Sequence, residues 1–584
     1  MFFWYEYLVL VAMLLFSTLI GLYFGCFGSK QSTTTEYLFG GKKMKFLPIG
    51  ISITASQFSA ITLIGVPSDV YTFGAFYWFV CLCYVPVFFL AAVVFYPVFF
   101  KAEVSTAYEY LEKRFDNKAR LLGSFLYLLR ENITLPLFIY SPALALSTVT
   151  GVKVSVIAIA ISLICVFYTA IGGLKTVVWT DVLQFVIIMA STVVITWIGV
   201  KSTGGFSTVW NTALAGGRLD IFDFDFDPTK KDGFWLFLFG HTLQLFNYAN
   251  LSQSTVQKIL TLSTFRDCVM SLLCEAIGMC LIVTSSVFLG LTIYARYADC
   301  DPLLNHKITK NDELVSYYVM DIAGNIPGLS GLFMAAMVSA AISTISSSLN
   351  SISGVIYKDY ISKFSRRQFT EKSAVFILKL IVVIEGVLST SLVLLIEHLG
   401  QVVPLSISLS GMVNGPLLGL FTLGVLFPKI NAKSAFYGGI CGLICISFIA
   451  LPAYYYKYHH LFVFPTKSFS VDGCLLNLSI ANTSNILFGV NSSTPVTFGT
   501  NDTLNTNTWK PFFLFRISYY YYCLIGVVAT IITALIINRV VNRNGSSAKR
   551  VLISPVCHFL LSEDAEPDAQ ALETFMKGRK DEEN

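Results

Sequence analysis

The stretch Ser339-Ala-Ala-Ile-Ser-Thr-Ile-Ser-Ser-Ser-Leu-Asn350 lies within a long apolar segment and contains six hydroxyl side chains. In a soluble helix so many hydroxyls would be unfavourable, because they compete with the backbone for hydrogen bonds. In a membrane, small residues let helices approach closely, and hydroxyls bond from one helix to the next. The stretch therefore indicates a buried membrane-spanning helix.

The composition of the whole chain agrees with this interpretation. Of 584 residues, 55% are hydrophobic and only 13% are charged, whereas a soluble protein is about 25% charged. This excludes a soluble enzyme, a disordered protein and a disulfide scaffold. The net charge of +5 is too small for its length to suggest nucleic-acid binding. We expect an all-α polytopic membrane protein.

Thirteen segments are long and apolar enough to cross a bilayer. Two of them are interrupted: 46–73 contains two prolines and two glycines, and 233–258 is broken by the polar run 247–254. Each interrupted span begins a set of five, so 46–200 and 233–428 are predicted to be two inverted repeats. The remaining predicted regions are an extra helix and cytoplasmic loop at 1–45, an extracellular loop at 201–232, two C-terminal helices in 429–540 with a loop at 457–511, and a cytoplasmic tail at 541–584.

Charge in the short loops predicts the orientation. Lysine and arginine concentrate on one side, which is cytoplasmic if the N-terminus is outside; Lys258 and Arg266 are assigned to that side. The loop 457–511 is then external, and glycosylation sequons are modified only on that side of the membrane. Four sequons begin at Asn477, Asn482, Asn491 and Asn501. Cys300 and Cys474 also fall outside, either as a disulfide or as two free thiols.

Spacing in the opening stretch suggests a cation site. Ala340, Ser343, Thr344 and Ser347 share one helix face. A carbonyl and two adjacent hydroxyls offer neutral oxygens to a small hard cation such as sodium. Carbonyls freed by the break in 46–73 would supply further ligands. The alternative, that these residues only let helices pack closely, stays open.

Ionisable residues within the spans are functional hypotheses by default. The candidates are Arg130, Glu131, Asp181, His241, Glu275 and Glu385. Arg130 lies about ten residues into its span, roughly 15 Å deep, and would either pair with Glu131 or attract an anionic solute. Asp181 is expected near the start of its helix, where it would either have a functional role or only interact with the helix dipole. No nucleotide-binding, zinc or catalytic motif is present, which favours a secondary transporter over a pump, a receptor or an enzyme.

Several motifs together resemble the sodium/solute symporter family over nearly the whole chain. They are Gly50-Ile-Ser-Ile-Thr-Ala-Ser-Gln-Phe-Ser-Ala60, Gly65-Val-Pro67, Tyr140-Ser-Pro-Ala-Leu144, Tyr168-Thr-Ala-Ile-Gly-Gly-Leu-Lys175, Trp179-Thr-Asp-Val-Leu-Gln184 and Asn414-Gly-Pro-Leu-Leu-Gly419. The branch that it resembles holds monocarboxylate, multivitamin and iodide carriers. The resemblance implies a LeuT-type five-plus-five core.

The resemblance also implies roles for particular residues. It assigns the sodium site to Ala55, Phe58, Ala340, Ser343 and Thr344, and a sodium path to Asp181 and Gln184. It assigns solute contacts to Thr62, Tyr84, Tyr140, Phe246 and Ser408, to which we add Arg130 as a residue suited to a carboxylate. Iodide is disfavoured, because Thr62 stands where iodide-type carriers have glutamine.

The sequence thus predicts a plasma-membrane symporter that imports a small organic solute, such as a monocarboxylate, with sodium by alternating access. Sodium is the coupling ion, and no other cofactor and no nucleic-acid partner is expected. The alternatives are a transport-inactive sensor or adaptor, and a symporter for a vitamin, iodide or a sugar-like solute.

Overall fold

A computed structural model describes residues 3–23, 33–42, 44–102, 104, 106–324, 326–365, 369–396, 402–459, 461, 464–474, 511–541 and 549–560. The four sequons lie outside these residues. The helices of the bundle are α1 (Trp4–Leu22), α2 (Phe46–Gln57), α3 (Ala60–Phe73), α4 (Ala75–Lys101), α5 (Asn117–Thr150), α6 (Val154–Ser202), α7 (Thr242–Asn250), α8 (Gln253–Ile259), α9 (Phe265–Tyr297), α10 (Leu329–Phe364), α11 (Glu371–Ile396), α12 (Val402–Leu426), α13 (Ala432–Tyr458) and α14 (Tyr519–Val541). Shorter helices cover Thr34–Phe39, Ala107–Arg114, Phe206–Ala215 and Leu314–Ala323.

These helices account for the thirteen predicted spans within the described residues. Ten helices are individually long and apolar enough to cross a membrane, and α2 with α3 forms one further span, bent by 60°. Helix α6 has 49 residues and contains a non-helical residue, Gly173, at φ 55°. A left-handed φ is open to glycine at little cost, so α6 is two spans joined at this kink. Helices α7 and α8, preceded by a π-helical turn at Leu236–His241, form the last one.

The two predicted interruptions lie where polar residues replace the regular helix. The first is at Phe58 and Ser59, both in extended conformation. Neither the prolines nor the glycines of this span produce it, and Pro67 lies inside α3. The second falls after Asn250, where Ser252 accepts a hydrogen bond from the Thr255 N–H and so caps α8. Both breaks leave terminal backbone groups without helical partners.

Helix α10 carries the hydroxyl-rich stretch and lies at the centre of the bundle. In its most apolar window 94% of residues are buried, the highest share among the spanning helices. It packs against α2, α5, α6 and the N-terminal helix α1. The hydroxyls therefore face other helices rather than lipid, as the sequence predicts.

A covalent bond joins two segments that lie outside the membrane-spanning helices. Cys300 and Cys474 form a disulfide with their Cα atoms 5.1 Å apart, which resolves the two alternatives left by the sequence. The loop 201–232 is partly helical, at Phe206–Ala215. Its Arg218 is fully buried and donates to the carbonyls of Gly216 and Ser468. This loop and the segment before Cys474 thus pack as one external layer.

Candidate functional site

The end of α2 and the hydroxyl-rich helix α10 pack against each other. The five residues predicted to bind sodium are all buried: Ala55, Phe58, Ala340, Ser343 and Thr344. Ala55 lies in the last turn of α2, where carbonyls lack partners within the helix. Thr344 Oγ1 donates to the Ala340 carbonyl at 3.1 Å. The five residues are thus buried on two helices that contact each other.

Asp181 joins these two helices. Its carboxylate is completely buried and accepts hydrogen bonds from Ser343 Oγ and Ser52 Oγ, each at 2.6 Å. Ser343 belongs to α10 and Ser52 to α2, so one side chain of α6 connects the broken helix to the hydroxyl-rich one. Of the two alternatives for Asp181, the dipole partner alone does not describe it, because it lies eight residues beyond the kink at Gly173 and bonds to side chains.

Lys258 is the most important residue that the sequence reasoning missed. The prediction that it lies in a cytoplasmic loop is wrong: it is 1% exposed and forms an ion pair with Asp181, Nζ to Oδ2, at 2.9 Å. Its ammonium also donates to the Ser52 carbonyl at 3.1 Å, Ser56 Oγ at 2.7 Å and Ser347 Oγ at 2.9 Å. The break before α8 directs this short helix inward. An aspartate inside a predicted span needs a counter-ion, and the lack of an assigned partner for Asp181 was the sequence signal that could have identified Lys258.

The charges of this cluster already compensate each other. One carboxylate and one ammonium balance, and the remaining groups are neutral oxygens from α2 and α10. The ammonium is surrounded by four oxygen atoms within 3.1 Å. A small hard cation prefers the same ligands, so the surroundings of Lys258 show that this region can hold positive charge. Gln184, one turn after Asp181, is fully buried, and within the described chain its amide has no hydrogen-bond partner.

A cavity of about 130 Å³ lies beside the first break. Its wall includes Gln57, Ser59 and Thr62 around the break and Tyr84 of α4. A cavity of about 150 Å³ is large enough for benzene. This cavity therefore has room for a ligand of only a few heavy atoms.

Two of the six residues predicted to contact solute, Thr62 and Tyr84, lie in this wall. The other four, all within the described residues, do not: Tyr140, Phe246, Ser408 and Arg130. Phe138, two positions before Tyr140 on the same helix, lies in the wall instead, because residues two positions apart differ by about 200° around the helix axis. Ser406 and Ser410, four residues apart on one face, similarly replace Ser408. Phe246 packs against Phe95, with ring centroids 4.8 Å apart.

Arg130 lies outside the cavity wall for a different reason. It forms an ion pair with Glu131, and both residues are 3% exposed. The guanidinium also lies against the rings of Tyr127 and Tyr248, 5.3 and 5.8 Å from their centroids. Tyr248 is itself part of the cavity wall. Of the two alternatives left by the sequence, the structure favours the internal pair.

An ion cluster includes one residue of the cavity wall. Lys231 is 7% exposed and contacts Asp69, which is part of the cavity wall, at 2.8 Å. It also contacts the neighbouring Asp232 at 3.3 Å. Burial raises the pKa of Asp232 to about 6, against the opposing effect of Lys231 and with a further rise from Asp69. The cluster connects α3 to the external loop.

Comparison with known proteins agrees with this geometry. A sequence model of the sodium:solute symporter family matches residues 37–442. The human sodium-coupled monocarboxylate transporter 2 is 34% identical over 555 residues, 95% of this chain and 87% of its own. The rabbit sodium-dependent multivitamin transporter is 34% identical over 448 residues, 76% of this chain and 70% of its own.

A solved structure of a Na⁺-coupled sialic acid symporter, in a substrate-bound outward-open state, shares the fold. Its TM-score is 0.72 at 22% identity, covering 94% of this chain and 99% of that one. The predicted LeuT-type architecture is thereby confirmed, while the residue boundaries of its repeats stay predictions. The chain belongs to the sodium:solute symporter family and is a multi-span membrane transporter that couples solute movement to sodium, not an enzyme.

Proposed function

We propose that this protein imports small monocarboxylates together with sodium across the plasma membrane by alternating access. The observation that carries the proposal is the buried carboxylate of Asp181, which binds Ser52 of the broken helix and Ser343 of the hydroxyl-rich helix at 2.6 Å each. Ser52 belongs to the same helix, α2, as Gln57 of the cavity wall. An ion site and a solute site that share one broken helix are the arrangement from which coupled transporters are built.

Sodium, in this proposal, binds the carbonyl oxygens of Ala55, Phe58 and Ala340 and the hydroxyls of Ser343 and Thr344. Their burial supports the assignment, because an ion held in a water-excluded place must receive its ligands from the protein. Sodium bound there would hold α2 against α10 and so favour the conformation that closes around the solute. A ligand shifts a conformational equilibrium only by its differential affinity for the two states.

Asp181, Lys258 and Gln184 then mark the path by which sodium leaves toward the cytoplasm. Asp181 supplies negative charge next to Ser343, and Lys258 supplies the competing positive charge on the same carboxylate. When sodium departs, the ammonium is already in place to neutralise Asp181. The pair thus avoids leaving an uncompensated buried charge during the return of the empty carrier.

The cavity is large enough for a small solute. With about 130 Å³, it accommodates a ligand of a few heavy atoms. Relatives that are 34% identical over most of the chain include the sodium-coupled monocarboxylate transporters 1 and 2 of human. Both lines of support converge on short monocarboxylates.

The test is uptake of radiolabelled solutes into proteoliposomes under an inward sodium gradient, with a choline gradient as the control. The panel contains a three-carbon monocarboxylate, a vitamin carboxylate, a hexose and iodide. We expect sodium-dependent accumulation of the monocarboxylate that exceeds uptake of the other three. Accumulation of only the vitamin, hexose or iodide would overturn the assignment, and binding without accumulation of any solute would favour a sensor.

A further inference from the structure

We infer that His241 binds the transported solute and determines its specificity, together with the amide of Asn414. The inference rests on the proposed function, since it concerns the solute that occupies the cavity. His241 lies in the π-helical turn Leu236–His241, directly before α7, and is part of the cavity wall. Asn414 belongs to α12 and is part of the same wall.

His241 is a buried polar side chain in apolar surroundings. It is 4% exposed, and aromatic rings of three residues surround it: Tyr520, Phe237 and Tyr77, with centroids 4.7, 5.1 and 6.2 Å away. Within the described residues neither ring nitrogen has a hydrogen-bond partner. Buried polar atoms are nearly always paired, so two orphaned nitrogens on one ring require an explanation.

A solute in the cavity supplies the missing partners. An imidazolium would be costly among these rings, so the ring is neutral and offers one donor and one acceptor nitrogen. Asn414 is fully buried, and both ends of its amide are likewise unpaired in the described chain. It adds two donor hydrogens and a further acceptor oxygen. Both residues belong to the same cavity wall, so a solute there can find donors and acceptors on each of them.

The charges in the wall determine how an anion is held. Among the described residues that form the wall there is no lysine or arginine, and Asp69 is already paired with Lys231. A carboxylate must therefore be bound by neutral donors, which His241 and Asn414 provide. The acceptors that remain, including Gln244 Oε1, call for a donor on the solute itself. The geometry points to a solute that carries both a carboxylate and a neighbouring hydroxyl.

The experiment compares propionate with 2-hydroxypropionate, which differ only in that hydroxyl, in sodium-driven proteoliposome uptake. His241→Phe keeps an aromatic ring and removes both nitrogens. We expect it to raise the KM for 2-hydroxypropionate at least 10-fold and that for propionate less than 3-fold, with the sodium activation curve unchanged. His241→Gln, which retains a donor and an acceptor, should restore most of the preference. His459→Phe, at an exposed histidine, is the matched control and should behave as wild type.

Equal KM changes for the two acids, or none, would overturn the inference, as would a His241→Gln variant no better than His241→Phe. If both His241 variants fail to reach the membrane, uptake of the two acids by wild type tests the inference instead. Wild-type protein that shows no preference for 2-hydroxypropionate over propionate would overturn the inference. The proposed function fails separately, if wild-type protein accumulates neither acid with sodium.

Discussion

Replacing Lys258 by methionine should make this carrier bind sodium more tightly. Lys258 Nζ and Ser343 Oγ contact different oxygens of the Asp181 carboxylate, at 2.9 and 2.6 Å. A sodium ion on Ser343 therefore lies close to the ammonium and is repelled by it. Methionine retains the length of the apolar stem and removes the charge, so the variant isolates this repulsion.

The size of the effect follows from Coulomb's law. At an effective dielectric constant of about 20, two unit charges about 6 Å apart interact by about 3 kcal/mol. Each 1.4 kcal/mol is tenfold in affinity, so the upper bound is about 100-fold. We expect a gain of 10- to 100-fold. The same substitution leaves Asp181 buried without a counter-ion, which should cost about 3–5 kcal/mol of stability when sodium is absent.

The assay is thermal unfolding of purified protein over a range of sodium concentrations, with choline keeping the ionic strength constant. A ligand that binds only the folded state raises the melting temperature as its concentration exceeds Kd. Lys258→Met should melt below wild type in choline and recover at far lower sodium. Lys258→Arg retains the positive charge and is the matched control; its sodium dependence should stay within about threefold of wild type.

One result would refute this reasoning. If Lys258→Met folds, yet its sodium midpoint lies within twofold of wild type, the ammonium is not coupled to the sodium site. In the double variant with Asp181→Asn, both charges are gone, so we expect the sodium midpoint to return toward the wild-type value. A double variant as tight as Lys258→Met alone would also contradict the account.

Three further predictions concern other parts of the molecule. Burial raises the pKa of Asp232 to about 6, so its ionised form opposes folding, and acidification from pH 7 toward pH 4 relieves this by protonating it. The free energy of unfolding of wild type, followed through the melting temperature, should rise by up to about 1–2 kcal/mol relative to that of Asp232→Asn; this magnitude is reduced because the side chain is 18% exposed. Glu6 of α1 accepts hydrogen bonds from the Gly328 and Gly331 N–H groups at the start of α10, so Glu6→Gln should lower stability by about 1–2 kcal/mol without changing the KM for solute. Arg130→Met should be destabilised by about 3–5 kcal/mol, because Glu131 is left unpaired. A double variant with Glu131→Gln should recover stability and show a KM for solute within threefold of wild type; a larger rise in KM would place Arg130 at the solute.

Features set by local sequence could be predicted, because a bilayer leaves few choices for a chain. Apolar length determined the thirteen spans, and the polar run 247–254 located the break after Asn250. The prolines and glycines of 46–73 indicated an interrupted span, although the break itself lies at Phe58 and Ser59. The helical period placed Ser343 and Thr344 on one face, which the structure buries. These features depend on hydrogen bonding and hydrophobicity within a single segment.

Features that depend on packing could not be predicted in the same way. Lys258 looked like a cytoplasmic charge, since no sequence pattern shows that α8 turns inward to meet Asp181. Of the residues predicted to contact solute, Thr62 lies in the cavity wall beside the break, whereas Tyr140 and Ser408 do not. Other residues of the same two helices lie in the wall, because a rotation of one or two residues is decided by neighbouring helices.

The most direct test of sodium coupling is uptake by the double variant Ser343→Ala with Thr344→Ala, in which both proposed hydroxyl ligands are lost. Initial rates of monocarboxylate uptake into proteoliposomes should be measured in sodium and in choline, at matched amounts of reconstituted protein. The account predicts that the stimulation by sodium seen in wild type is lost, so that the two rates become equal. Stimulation equal to wild type at the same sodium concentration would contradict it.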